Sequence, residues 1–211
     1  MADHKKISAY SIVKNNTVSK NGAVLFEVDG KEDAGSFLLA AYQYFAVNYP
    51  KFYKMDNLCK LGLIATEVLL KDQTFENNDP YETGIVLSNA NSSLDTDIKY
   101  YDTVANIASP ALFVYTLPNI VIGEISIKFS FKGENAFFIF DRFDTGFTTQ
   151  YVNNLFDTTG IERCICGWVD LLGNDYEAVL FLIEKERTLN EQDAFTKENL
   201  NNIYYTSNGK S

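Results

Sequence analysis

The thiol and imidazole side chains of this chain are Cys59, Cys164, Cys166 and His4. Nucleophilic catalysis by cysteine needs a thiolate beside a base, which calls for a Cys/His pairing. A structural zinc site needs paired Cys/His spacings, and with His4 as the one histidine no such set is assembled. An odd cysteine count without disulfide-like spacing points to reduced, buried thiols. Cys164-x-Cys166 stands in an apolar run, where strand alternation sends both side chains to one face. Packing is the better reading for all three.

The elements that must position any site can be taken in chain order. Ile7 to Val13 reads as a first strand, Asn15 to Lys20 as polar and turn-like, and Ala23 to Val28 as a short strand in an excursion. Apolar residues recur at helical spacing over Ala34 to Asn48 and, after a candidate cap at Asp56, at Leu58, Leu61, Ile64, Ala65, Val68 and Leu69. Gln73 to Glu82 is a loop. Thr83 to Ala90 is apolar almost throughout, as a strand buried on both faces should be. Ser92-Ser93-Leu94-Asp95-Thr96-Asp97 supplies hydroxyls to cap a helix over Ile98 to Ala105. The aromatic strand Ala136 to Phe140 follows, then a helix from Thr145 to Phe156. Strands over Ile161 to Leu171 and Tyr176 to Glu184 come next, and one more helix over Asp193 to Tyr205; Ser207 to Ser211 looks frayed. Strands alternating with helices make this an α/β chain with a mixed, mostly parallel sheet of five strands flanked by helices.

With 211 residues the chain is long enough for a substantial core. Its 46% hydrophobic and 14% aromatic content fits a compact protein rather than a disordered one. A net charge of −10 argues against nucleic acid as partner, since no basic patch can replace counterions. The segment MADHKKISAYSIV has only a short, interrupted apolar run and no small-residue cleavage site, so it does not read as a signal peptide. No window reaches the roughly 18 apolar residues of a membrane span. The expectation is a cytoplasmic protein.

One stretch carries a resemblance. Ser109-Pro110, Thr116-Leu117-Pro118-Asn119, Gly123-Glu124-Ile125-Ser126-Ile127 and Lys132-Gly133-Glu134-Asn135 precede the strand Ala136-Phe137-Phe138-Ile139-Phe140. This order and spacing resembles the N-terminal half of a β-ketoacyl synthase, the condensing enzyme of fatty-acid and polyketide assembly, on the thiolase fold. The lead Lys54-Met55-Asp56 and the segment Ser92 to Asp97 extend the resemblance upstream. It covers most of the chain, with residues 1–185 read as a half-domain of that fold and residues 186–211 as a polar C-terminal helix and tail. In the family the nucleophilic cysteine follows the aromatic strand, at a sharp turn into a helix. That place falls here at Arg142, flanked by Asp141, Phe143 and Asp144.

The resemblance therefore implies a scaffold without its nucleophile. The basic catalytic residues come from a second half that has no counterpart in this sequence, and His4 lies upstream of the first strand. The resemblance implies a catalytically inactive subunit of chain-length-factor type, most like the short ketosynthase-like proteins of aryl polyene and flexirubin-type pigment clusters. The partners implied are a full-length ketosynthase or a second copy, with acyl carrier protein also in play; no cofactor is implied. In thiolase-fold dimers the strand before the nucleophile pairs across the interface, which assigns that role to Ala136, Phe137, Phe138, Ile139 and Phe140. Two alternatives stay open. Arg142 at a helix N-terminus, with Asp141 and Asp144, could grip an anion as a new enzyme site, although a salt-bridged cluster filling the vacated place is the plainer reading. Phe137, Phe138, Phe140 and Phe143 could line an acyl or small-molecule channel. On a helical wheel, residues 145–157 put Phe147, Thr148, Tyr151, Val152, Leu155 and Phe156 on one half, and Thr149, Gln150, Asn153, Asn154 and Asp157 on the other. The family's counterpart is sandwiched between two sheets, so the expectation is a natural half-fold that exposes a layer its relatives bury.

Overall fold

The computed structural model describes residues 4–30, 32–74, 79–186 and 190–207. Among them seven strands form one sheet: β1 (His4–Lys14), β2 (Thr17–Lys20), β3 (Ala23–Glu27), β4 (Thr83–Asn89), β5 (Asn135–Ile139), β6 (Arg163–Leu172) and β7 (Asp175–Glu186). Their order across the sheet is β3-β2-β1-β7-β6-β4-β5. The helices are α1 (Ala34–Tyr44), α2 (Asn57–Leu70), α3 (Leu94–Val104), the single turn α4 (Pro110–Phe113), α5 (Ile120–Phe129), α6 (Thr145–Thr158) and α7 (Lys197–Ser207).

The sheet has seven strands where five were expected, and it is mostly antiparallel. Among the described residues only β4 pairs in parallel, with β5 on one side and β6 on the other. The remaining pairings are antiparallel: two-residue turns join β1 to β2, β2 to β3 and β6 to β7 and permit nothing else, while β1 and β7 meet from opposite ends of the chain. Asn15-Asn16 and Asn21-Gly22 all have positive φ and close the turns β1–β2 and β2–β3, as the mirror-image hairpin turns require. The excursion thus joins the main sheet instead of leaving it. Asn16 is held by Tyr176 of β7: its N–H donates to the phenol oxygen at 3.0 Å, and the phenol donates to Asn16 Oδ1 at 2.6 Å.

Two cores lie on the two faces of the sheet. On one, α1, α2 and α5 cover Val13, Ile85, Leu87, Ile165, Val169 and Leu180. On the other, α6 and α7 cover Val86, Cys164, Cys166, Trp168, Val179 and Phe181. Alternation along β6 sends Cys164 and Cys166 to the same face, as expected. All three cysteines are free and buried, and desolvation pushes the Cys164 and Cys166 thiols well up. The segment from residue 190 on packs onto the second face through Phe195 and Leu200, both buried; residues 208–211, expected to fray, lie outside the described residues.

Candidate functional site

The turn between β5 and α6 is where the sequence placed a lost nucleophile. β5 is the edge strand, held by β4 on one side only. Beyond its last residue Phe140 N–H still donates to Asn89 O at 2.9 Å. The chain then bends through Asp141 and Arg142, both exposed. Phe143 turns inward and is only 3% exposed. Its ring lies 6.2 Å from Phe181, stacked, 6.2 Å from Trp168 and 5.2 Å from Tyr204. Asp144 caps α6, its Oδ1 accepting from Phe147 N–H at 2.8 Å.

The inner side of this turn is filled by the Phe143 ring, not by the salt-bridged cluster that the charges around it suggested. An aromatic ring there costs no desolvation, whereas a buried ion pair would need compensating partners. Asp144 already puts a carboxylate on the N-terminus of α6, so that end offers no anion site beside Arg142. Among the described residues, the Arg142 and Glu134 side chains make no hydrogen bond or ion pair. The four phenylalanines do not line one channel either. Phe137 packs on the first core, while Phe138 and Phe140 point to the second face and Phe143 is inside it. Phe138 and Phe140 stack at 5.9 Å, and Phe147 and Tyr151 of α6 meet Phe138 at 4.7 and 5.0 Å. This half-exposed aromatic cluster flanks the free edge of the sheet. A groove of about 590 Å³ lies elsewhere, between the β1–β3 strands and α7, lined by Tyr10, Ile12, Val24 and Ile203 among others.

Two further features escaped the sequence reading. The first is a buried carboxylate. Glu124 of α5 is 3% exposed and accepts from Tyr49 Oη at 3.3 Å and Tyr115 Oη at 3.2 Å, with Lys51 Nζ at 2.8 Å. Burial and then the adjacent Glu124 charge push the Tyr115 phenol up. Burial likewise raises the Cys59 thiol and, against its hydrogen bonds to Cys59 N–H and Thr96, the Asp56 carboxyl that caps α2. The bonds of Glu124 tie α5 to the loops before α2 and α5, with Tyr115 buried and Lys51 exposed at the surface. A lone acid inside the apolar run Val121-Ile122-Gly123-Glu124-Ile125 was its signal, since buried acids are almost always paired.

The second feature is α3, which is inside out. Asp95 and Thr96 are buried, bonded to Gly173 N–H and Asp56 respectively. Leu94, Ile98, Tyr101 and Val104 face outward, continued by Ile107, Phe113 and Leu117; Tyr101 is 76% exposed and Ile107 86%. Ser93 sits at the helix start, but its hydroxyl lies 2.9 Å from Thr116 O and 3.1 Å from Asp97 Oδ2, with a single proton to donate to one or the other, and makes no cap bond. The apolar stripe starts close to the C-terminal end of β5, because Asn89, the partner of Phe140, also closes the turn into α3 through Ser92.

Solved structures share this fold. The ishigamide ketosynthase/chain length factor superposes with a TM-score of 0.67 at 16% identity, over 88% of this chain and 63% of that one. This chain carries a ketosynthase-type, thiolase-like fold. A ketosynthase in complex with its chain length factor from Xenorhabdus doucetiae gives a TM-score of 0.58 at 12% identity, over 87% of this chain and 79% of that one. A β-ketoacyl synthase from Burkholderia phymatum gives 0.59 at 9% identity, over 100% and 62%. This chain spans less than two thirds of the length of the first of these structures. No protein-family model and no curated protein sequence matches it. Among the described residues no helix is long and apolar enough to cross a membrane.

Proposed function

We propose that this chain is a ketosynthase-like subunit that performs no condensation itself and works by pairing with an active, full-length ketosynthase, in the manner of a chain length factor. The pathway is cytoplasmic and of fatty-acid or polyketide type, with aryl polyene or flexirubin-like pigments as products. The observation that carries this reading is Phe143. Claisen condensation needs a thiolate to carry the acyl group and donors to hold the developing enolate. The strand-to-helix turn offers instead a core phenylalanine and an exposed arginine. Support for pairing comes from the open edge of β5 with its aromatic cluster, and from the outward apolar stripe of α3. Large exposed apolar patches mark interaction surfaces. The neighbours include a ketosynthase in complex with its chain length factor, and a type II ketosynthase in complex with its acyl-carrier protein. On this reading acyl carrier protein delivers its cargo to the active partner.

The test is incubation with an acyl-loaded carrier protein and a malonyl donor, followed by intact-mass spectrometry. No chain extension and no acyl-protein adduct are expected. A covalent acyl adduct on any residue of this chain would overturn the reading.

A further inference from the structure

We propose that the groove between α7 and the strands β1–β3 is a binding site for an uncharged small molecule with an apolar body and hydrogen-bonding groups along it. The site lies at the far end of the sheet from β5. It is separate from the surface assigned to a ketosynthase partner, and its test is independent of that pairing.

The strands make the floor. Tyr10, Ile12 and Lys14 alternate onto one face of β1, and the register sets Ser19 beside Ile12 and Val24 beside Ser19. The row Ile12–Ser19–Val24 is therefore apolar at both ends and hollow in the middle, where a serine stands. Beside it Gly22, whose φ of +82° suits the hairpin turn, has no side chain to raise the floor; Tyr10 Oη lies 3.3 Å from the place of its missing Cβ. Val13 and Val18, on the opposite face of the same strands, are fully buried, which fixes the floor from beneath. α7 makes the wall with Asn202, Ile203 and Thr206. Two bonds hold it in place: Thr145 Oγ1 donates to Asn201 Oδ1 at 2.8 Å, and Tyr204 Oη to Glu177 Oε2 at 2.9 Å. Floor and wall are both anchored, so the groove is built into the fold.

Size and charge select the occupant. A volume of about 590 Å³ falls among small-molecule sites, which run from roughly 300 to 1,000 Å³, whereas stable protein contacts spread over about 800 Å² on each partner. Among the described residues lining the groove, Lys14 carries the one charge, and that charge is met by Glu177 at 3.8 Å. A charged ligand would have to disturb this pair or lie beside it uncompensated, which is costly away from water. The neutral groups are available instead. Among the described residues, Tyr10 Oη, Ser19 Oγ and the Asn202 amide make no hydrogen bond within the chain. A ligand hydroxyl, amine or carbonyl therefore meets both donors and acceptors without breaking an existing bond. Ile12, Ile203 and the Tyr10 ring supply apolar contact, and a ligand covers Val24, which is otherwise 59% exposed.

Fluorescence titration of the full chain with two dyes tests this: N-phenylnaphthylamine, an uncharged apolar amine, and anilinonaphthalene sulfonate, the same skeleton with a negative charge. The neutral dye is expected to bind one to one, about tenfold or more tighter than the sulfonate. Ser19→Trp, which fills the hollow in the floor, should weaken the neutral dye about tenfold or more with the melting transition retained. Val24→Asp, at an exposed position on the edge strand, should weaken it about fivefold or more and decides the matter if the tryptophan variant does not fold. Tyr101→Lys, on the apolar stripe of α3, should leave the affinity within about twofold. A neutral dye that is lost on Tyr101→Lys but indifferent to both groove variants sits on α3, and the site is overturned. Sulfonate binding as tight as that of the neutral dye overturns the assignment of an uncharged ligand. Absence of any binding of the neutral dye overturns the proposal as a whole.

Discussion

Gly167→Ala is expected to destabilise the protein by about 3–5 kcal/mol, combining overpacking with a strained backbone position. Gly167 lies in the middle of β6 at φ +151°, opposite Leu180 of β7. A methyl group there would sit 2.1 Å from Val179 O and 3.0 Å from Leu180 Cα. No side-chain rotation relieves a clash with backbone, so the two central strands would have to part. The loss is a large share of the roughly 5–15 kcal/mol that holds a typical domain together. Gly123→Ala is the control. It lies within α5, and an added Cβ meets nothing within 4 Å. Alanine there should stabilise by about 0.5–1 kcal/mol through helix propensity and lower unfolded-state entropy. Denaturant titrations of the two variants should move in opposite directions; equal losses would place Gly123 against a surface not described by this chain alone.

The second large effect concerns α6. Leu155 lies on its buried face with Val152 and Phe156, packed toward Cys164 and Val86. Leu155→Ala should cost about 2–5 kcal/mol, the range for core leucines. Asn154, one residue earlier, is exposed, and Asn154→Lys should stay within about 0.5 kcal/mol of the wild type. Thermal melts of the pair check the wheel assignment directly. A lysine variant that loses as much as Leu155→Ala would mean that α6 is covered on both sides in solution.

The elements written in long apolar patterns were legible. α2, β4, β6 and β7 fall within a few residues of their expected spans, because buried faces demand many apolar residues in register. α6 also shows the division between wet and buried residues that its sequence implied. The failures share a cause. β2 is Thr17-Val18-Ser19-Lys20, too short and polar to carry a period, and its place depends on pairing with β1. The Asn-Gly dipeptide at 21–22 was the available hairpin signal and outweighs the polarity of the segment. At the candidate site, the charges of Asp141, Arg142 and Asp144 drew the eye, while Phe143 does the filling. Spacing along the chain tells which residue stands at a turn, not which one rotates inward. α3 was read as an ordinary capped helix because periodicity gives a stripe without saying which side of it is wet.

The seam between β1 and β7 bears on how the chain acquires its shape in time. These strands lie side by side at the middle of the sheet, with His4 opposite Glu186 and Lys14 opposite Glu177. Nearly the whole described chain must therefore be synthesised before its central pairing can form. Loop-closure entropy is lost before such distant contacts return anything, which slows folding and favours populated intermediates. Until β7 arrives, β1 and β6 each present a bare side, and Phe181 has not yet met the Phe143 ring. A chaperone-dependent yield, and refolding over milliseconds to seconds instead of microseconds, are the kinetic signature this topology should leave.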